Sequence, residues 1–210
     1  MERLIRPANA RWGMVLTHGA GSNADAPLLV ALSNALAERE WAVLRVNLAF
    51  RQKRPSGPPH PSGAAADRAG LAEAITSLHA ETGLPVYAGG HSYGGRQATM
   101  LAAEQSSLAR SLLILSYPLH PPAQPAKLRV EHLPALKTPS LFVSGTKDPF
   151  GTPDELTSAL ERIPAPHKLV LLARQGHALS MRSVESIADQ WVHFVYGVRI
   201  WEKFGGGPLV

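Results

Sequence analysis

The sequence predicts an α/β domain: a three-layer α/β/α sandwich whose mostly parallel sheet has about six strands. Short apolar runs alternate with segments of helical periodicity along nearly the whole chain, which is the order of β-α units in a parallel sheet. The length of 210 residues fits one domain rather than two. In such a sheet the ligand site is expected at the carboxyl ends of the strands.

The elements follow one another with little interruption. Short apolar runs bounded by turn residues predict strands at 13–17, 41–48, 85–89, 111–116, 140–144 and 168–172. Apolar residues at helical spacing predict helices at 26–40, 64–82, 95–104, 154–163 and 184–196. Asp25 and Pro27 mark the start of the first helix, and Gly83 closes the second.

Two proline-rich connections, 51–63 and 118–137, each leave the carboxyl end of a strand and are predicted to form walls of the site. Neither is long enough for a helical cap domain. We therefore predict a single domain over residues 1–204, followed by a flexible glycine-rich tail at 205–210.

The composition narrows the function classes. The absence of cysteine excludes disulfides, thiol nucleophiles and thiolate metal sites. The formal charge of +5 comes from scattered basic residues, so we expect no nucleic-acid partner. Whether Arg51–Arg54 or Arg96 contacts an anionic substrate stays open at this point. Without a signal peptide or an apolar stretch of membrane-spanning length, a cytoplasmic protein with no membrane partner is expected.

The most informative motif is Gly90-His91-Ser92-Tyr93-Gly94, a G-x-S-x-G sequence between a predicted strand and a predicted helix. A serine on such a tight turn has a strained backbone and projects its hydroxyl at the sheet edge. The flanking glycines are needed because a Cβ there would clash with neighbouring backbone. Ser92 is therefore the candidate nucleophile.

A serine nucleophile requires a base and a carboxylate that orients the base. Asp148 follows the predicted strand 140–144, and His177 follows the strand 168–172, so both are expected at the same sheet edge as Ser92. The alternative for Asp148 is a helix cap, but Thr152 and Asp154 are better placed for that role. We predict catalytic roles for Ser92, Asp148 and His177.

Two backbone amides are expected to form an oxyanion hole. Tyr93, directly after the nucleophile, supplies one, and Ala20 in the His18-Gly19-Ala20-Gly21 turn is the expected second donor. The same turn carries Gly19-x-Gly21-x-x-Ala24, which also matches a dinucleotide-binding pattern. The next strand lacks the acidic residue that would bind a ribose, although Arg45 could accept a 2′-phosphate, so an NADP-binding Rossmann protein stays a second hypothesis.

With these motifs the chain resembles the α/β-hydrolase superfamily over nearly its whole length. More narrowly, the segments 117–122 and 145–151 resemble small capless proteins related to dienelactone hydrolases and to a hydrolase-like subunit of the non-specific lethal chromatin complex. The resemblance implies a Ser92-His177-Asp148 triad, no cofactor and no metal. It implies a serine hydrolase of small acyl esters, lactones or thioesters, with a non-catalytic scaffold that binds a protein partner as the alternative.

Overall fold

The computed structural model describes residues 3–203, without the side chains of Trp201 and Glu202. The predicted flexible tail, 205–210, lies outside the described residues, and the single domain over 1–204 stays a prediction. No helix within 3–203 combines the length and apolar character needed to cross a membrane.

The helices and strands alternate as the sequence predicts. The strands are β1 Leu4–Ile5, β2 Trp12–Thr17, β3 Trp41–Val46, β4 Val86–His91, β5 Leu112–Leu115, β6 Ser140–Gly145 and β7 His167–Leu172. The helices are α1 Pro27–Ala37, α2 Ala49–Lys53, α3 Ala64–Thr82, α4 Tyr93–Glu104, α5 Pro153–Leu160 and α6 Val184–Lys203.

The strands form one seven-stranded sheet in the order β1-β3-β2-β4-β5-β6-β7. Every pairing is parallel except that of β1 with β3. Strand β4 therefore lies in the middle of the sheet, with β2 and β5 on its two sides. The predicted fold class is confirmed, and its strand count rises to seven because of the edge strand β1.

Alternate side chains of each strand enter two separate apolar cores. On one face Val15 of β2 packs with residues of α3, α4 and α5, such as Leu71, Leu101 and Leu156. On the other face Met14 and Leu16 pack with residues of α1 and α6. This alternation makes the sheet the middle of three layers.

Two short elements, β1 and α2, were not predicted, and α6 extends to Lys203, beyond its predicted end at 196. The antiparallel strand β1 was not predicted, because two residues are too few to show a period. The predicted strand 41–48 ends at Val46, and the short helix α2 follows at Ala49. This helix overlaps the start of the first proline-rich connection, and its Arg51 donates to carbonyls of the β2–α1 turn.

Candidate active site

Ser92 occupies the turn between β4 and α4, in the middle of the sheet. Its backbone has φ 53° and ψ −118°, a conformation that side-chain-bearing residues rarely adopt. Such strain costs on the order of 1–3 kcal/mol and persists only where the surroundings enforce it. Here the Ser92 N–H donates to the Leu115 carbonyl of the neighbouring strand at 2.8 Å. The turn therefore holds the serine at the carboxyl edge of the sheet.

Glycines permit the close approach that this turn requires. A Cβ on Gly90 would lie 2.6 Å from the Thr17 carbonyl oxygen, and one on Gly94 would lie 2.6 Å from that of His18. Both contacts are shorter than any real Cβ contact and involve backbone atoms. The G-x-S-x-G motif thus lets the serine turn pack directly against the end of β2 and the loop that follows it.

Ser92, His177 and Asp148 form one hydrogen-bonded chain. The Nε2 atom of His177 lies 2.7 Å from the Ser92 Oγ. Its Nδ1 atom lies 3.0 Å and 2.9 Å from the two carboxylate oxygens of Asp148. Since a carboxylate accepts, Nδ1 carries the proton and Nε2 is left to accept the serine hydroxyl. The structure thus brings all three sequence-predicted residues together.

The acid and the base are held by the loops after β6 and β7. The Asp148 Oδ1 accepts the Phe150 N–H at 2.9 Å, and the Lys147 N–H donates to the Gln175 carbonyl at 2.7 Å. The Asp148 side chain is 1% exposed, whereas that of His177 is 20% exposed and open to the cleft. A buried acid that orients a partly exposed imidazole is the arrangement that general-base catalysis requires.

Two aromatic rings pack around the imidazole of His177. The Phe150 ring lies against it with centroids 4.1 Å apart. His91 belongs to the turn between β4 and α4 that contains Ser92, which we call the elbow. Its ring contacts the imidazole from that side, and the His91 Nε2 donates to the His177 carbonyl at 2.9 Å. Burial lowers the pKa of His91, which keeps that ring neutral. His91 therefore packs at the turn that holds Ser92.

The His18–Gly21 turn is fixed by hydrogen bonds on its carbonyl side. The Gly19 carbonyl accepts the Ser22 N–H at 3.1 Å and the His18 Nδ1–H at 2.9 Å. The His18 Nε2 accepts the Leu48 N–H at 3.2 Å, so its tautomer is defined. Because N–H and C=O point in opposite directions across a trans peptide, the Ala20 N–H points away from these partners.

Tyr93 is the first residue of α4, so its N–H has no acceptor within the helix. Tyr93 and Ala20 both line the cleft that contains Ser92. Their roles as oxyanion-hole donors stay a prediction that this arrangement supports.

Arg51 stabilises the same turn through hydrogen bonds to backbone carbonyls. Its guanidinium donates to the carbonyls of Ser22 at 2.7 Å, Ala20 at 2.9 Å and Gly57 at 3.1 Å. Arg51 is buried, with 6% of the residue exposed. Arg54, by contrast, is exposed and donates to the Pro58 carbonyl. Of the basic cluster at 51–54, Arg51 therefore supports the turn from within the protein.

Asp67 is a site residue that the sequence did not indicate. This fully buried carboxylate of α3 accepts the Tyr93 hydroxyl at 2.7 Å and the Phe50 N–H at 2.9 Å. It therefore ties the elbow to α2 and α3. The only sequence signal is a charged residue in the first turn of a helix, which is ordinarily a solvated position.

A cleft of about 770 Å³ opens above Ser92. The first proline-rich connection contributes residues 58–61 to its wall, and the second contributes Pro118 and Arg129. Both connections therefore form the walls that the sequence predicts. Arg96, Met100 and Phe150 complete the side facing α4 and the Asp148 loop.

The dinucleotide-like pattern at 19–24 has a different setting from the one that the Rossmann hypothesis requires. Gly19 lies against the elbow, where a Cβ would be 3.1 Å from His91 and 3.4 Å from Ser92. The Arg45 Nε donates to the Ala24 carbonyl at 3.0 Å, and the Asn47 side chain accepts the Ala24 N–H at 2.8 Å. The loop thus forms part of the Ser92 cleft.

Comparisons with known proteins agree on the fold. A family model described as an alpha/beta hydrolase domain matches residues 10–195. Among solved structures, a dienelactone hydrolase from Anabaena variabilis is similar with a TM-score of 0.74 at 21% identity, covering 92% of this chain and 89% of that one.

Two further structures are similar over comparable lengths. Est1E of Butyrivibrio proteoclasticus with bound ferulic acid has a TM-score of 0.72 at 16% identity, with coverage of 92% and 94%. An alpha-beta serine hydrolase homologue from Coxiella burnetii has a TM-score of 0.72 at 16% identity, with coverage of 90% and 88%. At these identities the likeness concerns the fold alone.

Proposed function

The chain belongs to the alpha/beta hydrolase family, and we propose that it is a serine hydrolase that cleaves small carboxylic esters through an acyl-enzyme on Ser92. One observation carries the proposal: the unbroken hydrogen-bonded chain from the Ser92 hydroxyl through His177 to the buried Asp148. The fold alone does not require all three groups in contact, whereas acyl transfer by the Ser-His-Asp mechanism does.

In the proposed first step the Ser92 Oγ attacks the ester carbonyl carbon while His177 Nε2 takes the hydroxyl proton. The resulting oxyanion accepts hydrogen bonds from the Tyr93 and Ala20 amides, each worth about 10²–10³ in kcat. When the C–O bond breaks, His177 returns the proton to the leaving alcohol. Asp148 stabilises the imidazolium throughout without taking the proton.

In the second step a water molecule attacks the acyl-enzyme. His177 accepts one water proton as the new C–O bond forms, and then returns it to Ser92 Oγ as the acid leaves. No cofactor takes part in either step. The open cleft and its proline-rich walls favour small acyl esters, with lactones or thioesters as related substrates.

The decisive test is the variant Ser92→Ala. We expect turnover of p-nitrophenyl acetate to fall on the order of 10⁶-fold and covalent labelling by a fluorophosphonate probe to disappear. The far-ultraviolet circular dichroism spectrum and unfolding midpoint should stay close to those of the unchanged protein. Ser107 is an exposed serine remote from the cleft, so Ser107→Ala is the matched control. It should keep both the turnover of p-nitrophenyl acetate and the labelling by the probe.

A fluorophosphonate adduct on folded protein and its loss in Ser92→Ala would together support the proposal. If the folded protein gave no adduct and no turnover of any ester, thioester or lactone in a graded series, the non-catalytic scaffold would be the better description.

A further inference from the structure

The charges that line the Ser92 cleft are of one sign. Among the described residues, the lining includes the guanidinium groups of Arg96 and Arg129 and no aspartate or glutamate. The rest of the wall is largely apolar, with Met100, Phe150 and six prolines and alanines, among them Pro59, Pro118 and Ala64. A cleft that binds only neutral esters has no need of two cationic groups.

Arg96 lies one helical turn after the nucleophile. Its N–H donates to the Ser92 carbonyl at 2.9 Å, the first i to i+4 bond of α4. Residues four apart share one face of a helix, and four residues span about 6 Å along its axis. Arg96 is therefore about one turn along α4 from Ser92, and both residues line the same cleft.

No carboxylate among the described residues forms an ion pair with the Arg96 guanidinium, whose side-chain hydrogen bond is to the neutral Tyr117 hydroxyl. Its Nε is buried without a hydrogen-bond partner, and none of the ion pairs among residues 3–203 includes it. Arg68, a basic residue one helix away, shows the contrast, because it pairs with Glu104 at 3.0 Å and donates to Gln97. The nearby carboxylate of Asp67 is already occupied by Tyr93 and Phe50.

Arg129 adds a second charge of the same kind. Its side chain donates to the Pro118 carbonyl at 3.1 Å, which fixes it in the cleft wall, and it has no carboxylate partner among the described residues. Burial and then the Arg96 charge lower the pKa of Arg129. The same two causes lower the pKa of His132 to about 4 against a smaller opposing effect of the Glu131 charge, so this neighbouring ring stays neutral. Two partly buried cations that repel each other are costly unless an anion binds between them.

We propose that Arg96 and Arg129 form an anion subsite that binds a carboxylate of the substrate, so that the preferred substrates are half-esters of short dicarboxylic acids. The inference rests on the proposed role of Ser92 and specifies the acyl group that Ser92 accepts. Guanidinium groups suit this task because their planar forks match a carboxylate with two hydrogen bonds. The methylene chain between the carboxylate and the ester then lies against the apolar wall.

The test compares two esters of equal chain length, mono-p-nitrophenyl glutarate and p-nitrophenyl valerate. We expect kcat/KM to be at least about tenfold higher for the anionic ester, since a charge-assisted hydrogen bond contributes roughly 10- to 100-fold. In Arg96→Gln the ratio of the two kcat/KM values should fall by about 10- to 100-fold, and Arg96→Lys should recover part of it. Arg68→Gln, which removes a charge outside the cleft, should leave the ratio unchanged.

A binding measurement separates this proposal from that of the catalytic serine. Calorimetric titration of the Ser92→Ala variant with glutarate should show binding that Ser92→Ala/Arg96→Gln loses. If valerate ester turns over while the glutarate ester has no advantage, or the ratio is insensitive to Arg96→Gln, the anion subsite is wrong and the hydrolase proposal stands. If neither ester turns over yet glutarate binds through Arg96, the subsite stands and the serine's role is wrong.

Discussion

Three contacts fix His177 in position and leave its Nε2 atom free to face the cleft. The Asp148 carboxylate binds Nδ1, the Phe150 ring covers one face, and the His91 Nε2 binds the His177 backbone carbonyl. Only Nε2 faces the Ser92 hydroxyl. Preorganisation of this kind removes the entropy cost of orienting a general base at the moment of reaction.

Asp148→Asn tests the orienting role of the acid. An asparagine keeps the shape and can still accept the Phe150 N–H, but its amide group can donate to Nδ1 and stabilise the wrong imidazole tautomer. We expect kcat for p-nitrophenyl acetate to fall by about 10⁴-fold at neutral pH, with an unfolding midpoint near that of the unchanged protein. Asp154→Asn, at an exposed acid of α5, is the control and should change neither quantity. Activity of Asp148→Asn within tenfold of the unchanged protein would contradict the assignment.

At the scale of single residues, the sequence predicts those site residues whose position follows from the order of the strands along the chain. Ser92, Asp148 and His177 each follow a strand, and parallel strands bring their carboxyl ends to one edge, so their meeting could be expected before any coordinates. Asp67 could not be found in this way. Its partner Tyr93 is 26 positions away, and only the packing of α3 against α4 turns an ordinary helix acid into a buried acceptor.

At the scale of elements, α4 owes its position to its first residues. The sequence predicts a helix from position 95, whereas α4 begins at Tyr93, because glycines in the first turn lower helix propensity yet are required by the close approach. A Cβ on Gly95 would lie 2.7 Å from the Gly90 carbonyl oxygen and 3.1 Å from Ile114 Cγ2. The helix is therefore closer to the sheet at this end than side chains would allow.

The pair Gly95→Ala and Gly70→Ala tests this interpretation with one added methyl group each. In Gly95→Ala the methyl group meets backbone that cannot move without separating α4 from β4, so we expect a loss of more than about 2 kcal/mol in unfolding free energy. Gly70 lies in α3, and an added Cβ would meet no atom within 4 Å beyond its own stretch of helix, so Gly70→Ala should gain about 0.5–1 kcal/mol from helix propensity. Urea denaturation measures both; equal effects of the two substitutions would show that α4 is not tightly packed at Gly95.

The elements differ in how far the sequence determines them. Helix α3 has the predicted bounds, because Gly83 adopts a left-handed conformation with φ 68° that ends the helix. The strand β1 and the helix α2 are too short to carry a period, and both form because of their neighbours: β1 pairs with β3, and the Phe50 N–H of α2 binds Asp67. Tertiary contacts therefore decide these short elements, whereas the bounds of α3 follow from its local sequence.

For the whole molecule, the hydrophobic pattern of the sequence leaves one property undetermined: the order of the strands in the sheet. Periodicity predicts that strands alternate with helices, but not that β3 lies outside β2 while β4 lies inside it. The reversal places helices α1 and α6 on one face and α3, α4 and α5 on the other. It also puts the β2–α1 turn beside the serine turn, which joins the predicted oxyanion-hole donors Ala20 and Tyr93 in one cleft.

Because three histidines are held neutral in the interior, we expect the unfolding free energy to fall in mild acid. Burial is the main cause that lowers the pKa of His18, His91 and His132, the last from 6.5 to about 4. Below pH 6.5 the unfolded chain binds protons that these folded sites do not, so the unfolding free energy falls as the pH drops from about 6.5 toward 4. Above pH 6.5 both states are neutral at these positions, and the contribution is absent. The carboxylates with lowered pKa, Asp25 and Glu155, add their own loss only below about pH 4.5.

His132→Gln isolates one of these groups. The His132 Nε2 lies 2.8 Å from the Thr99 Oγ1, and a glutamine amide can occupy that hydrogen-bonding position without titrating. We expect the unfolding free energy, measured in urea, to drop less between pH 7.5 and pH 5.0 in His132→Gln than in the unchanged protein. Each proton bound only by the unfolded state contributes up to about 1.4 kcal/mol per pH unit. His193→Gln, at an exposed histidine of α6, should keep the full pH dependence. An equal drop in His132→Gln and the unchanged protein would mean that His132 is protonated as readily in the folded state as in the unfolded chain.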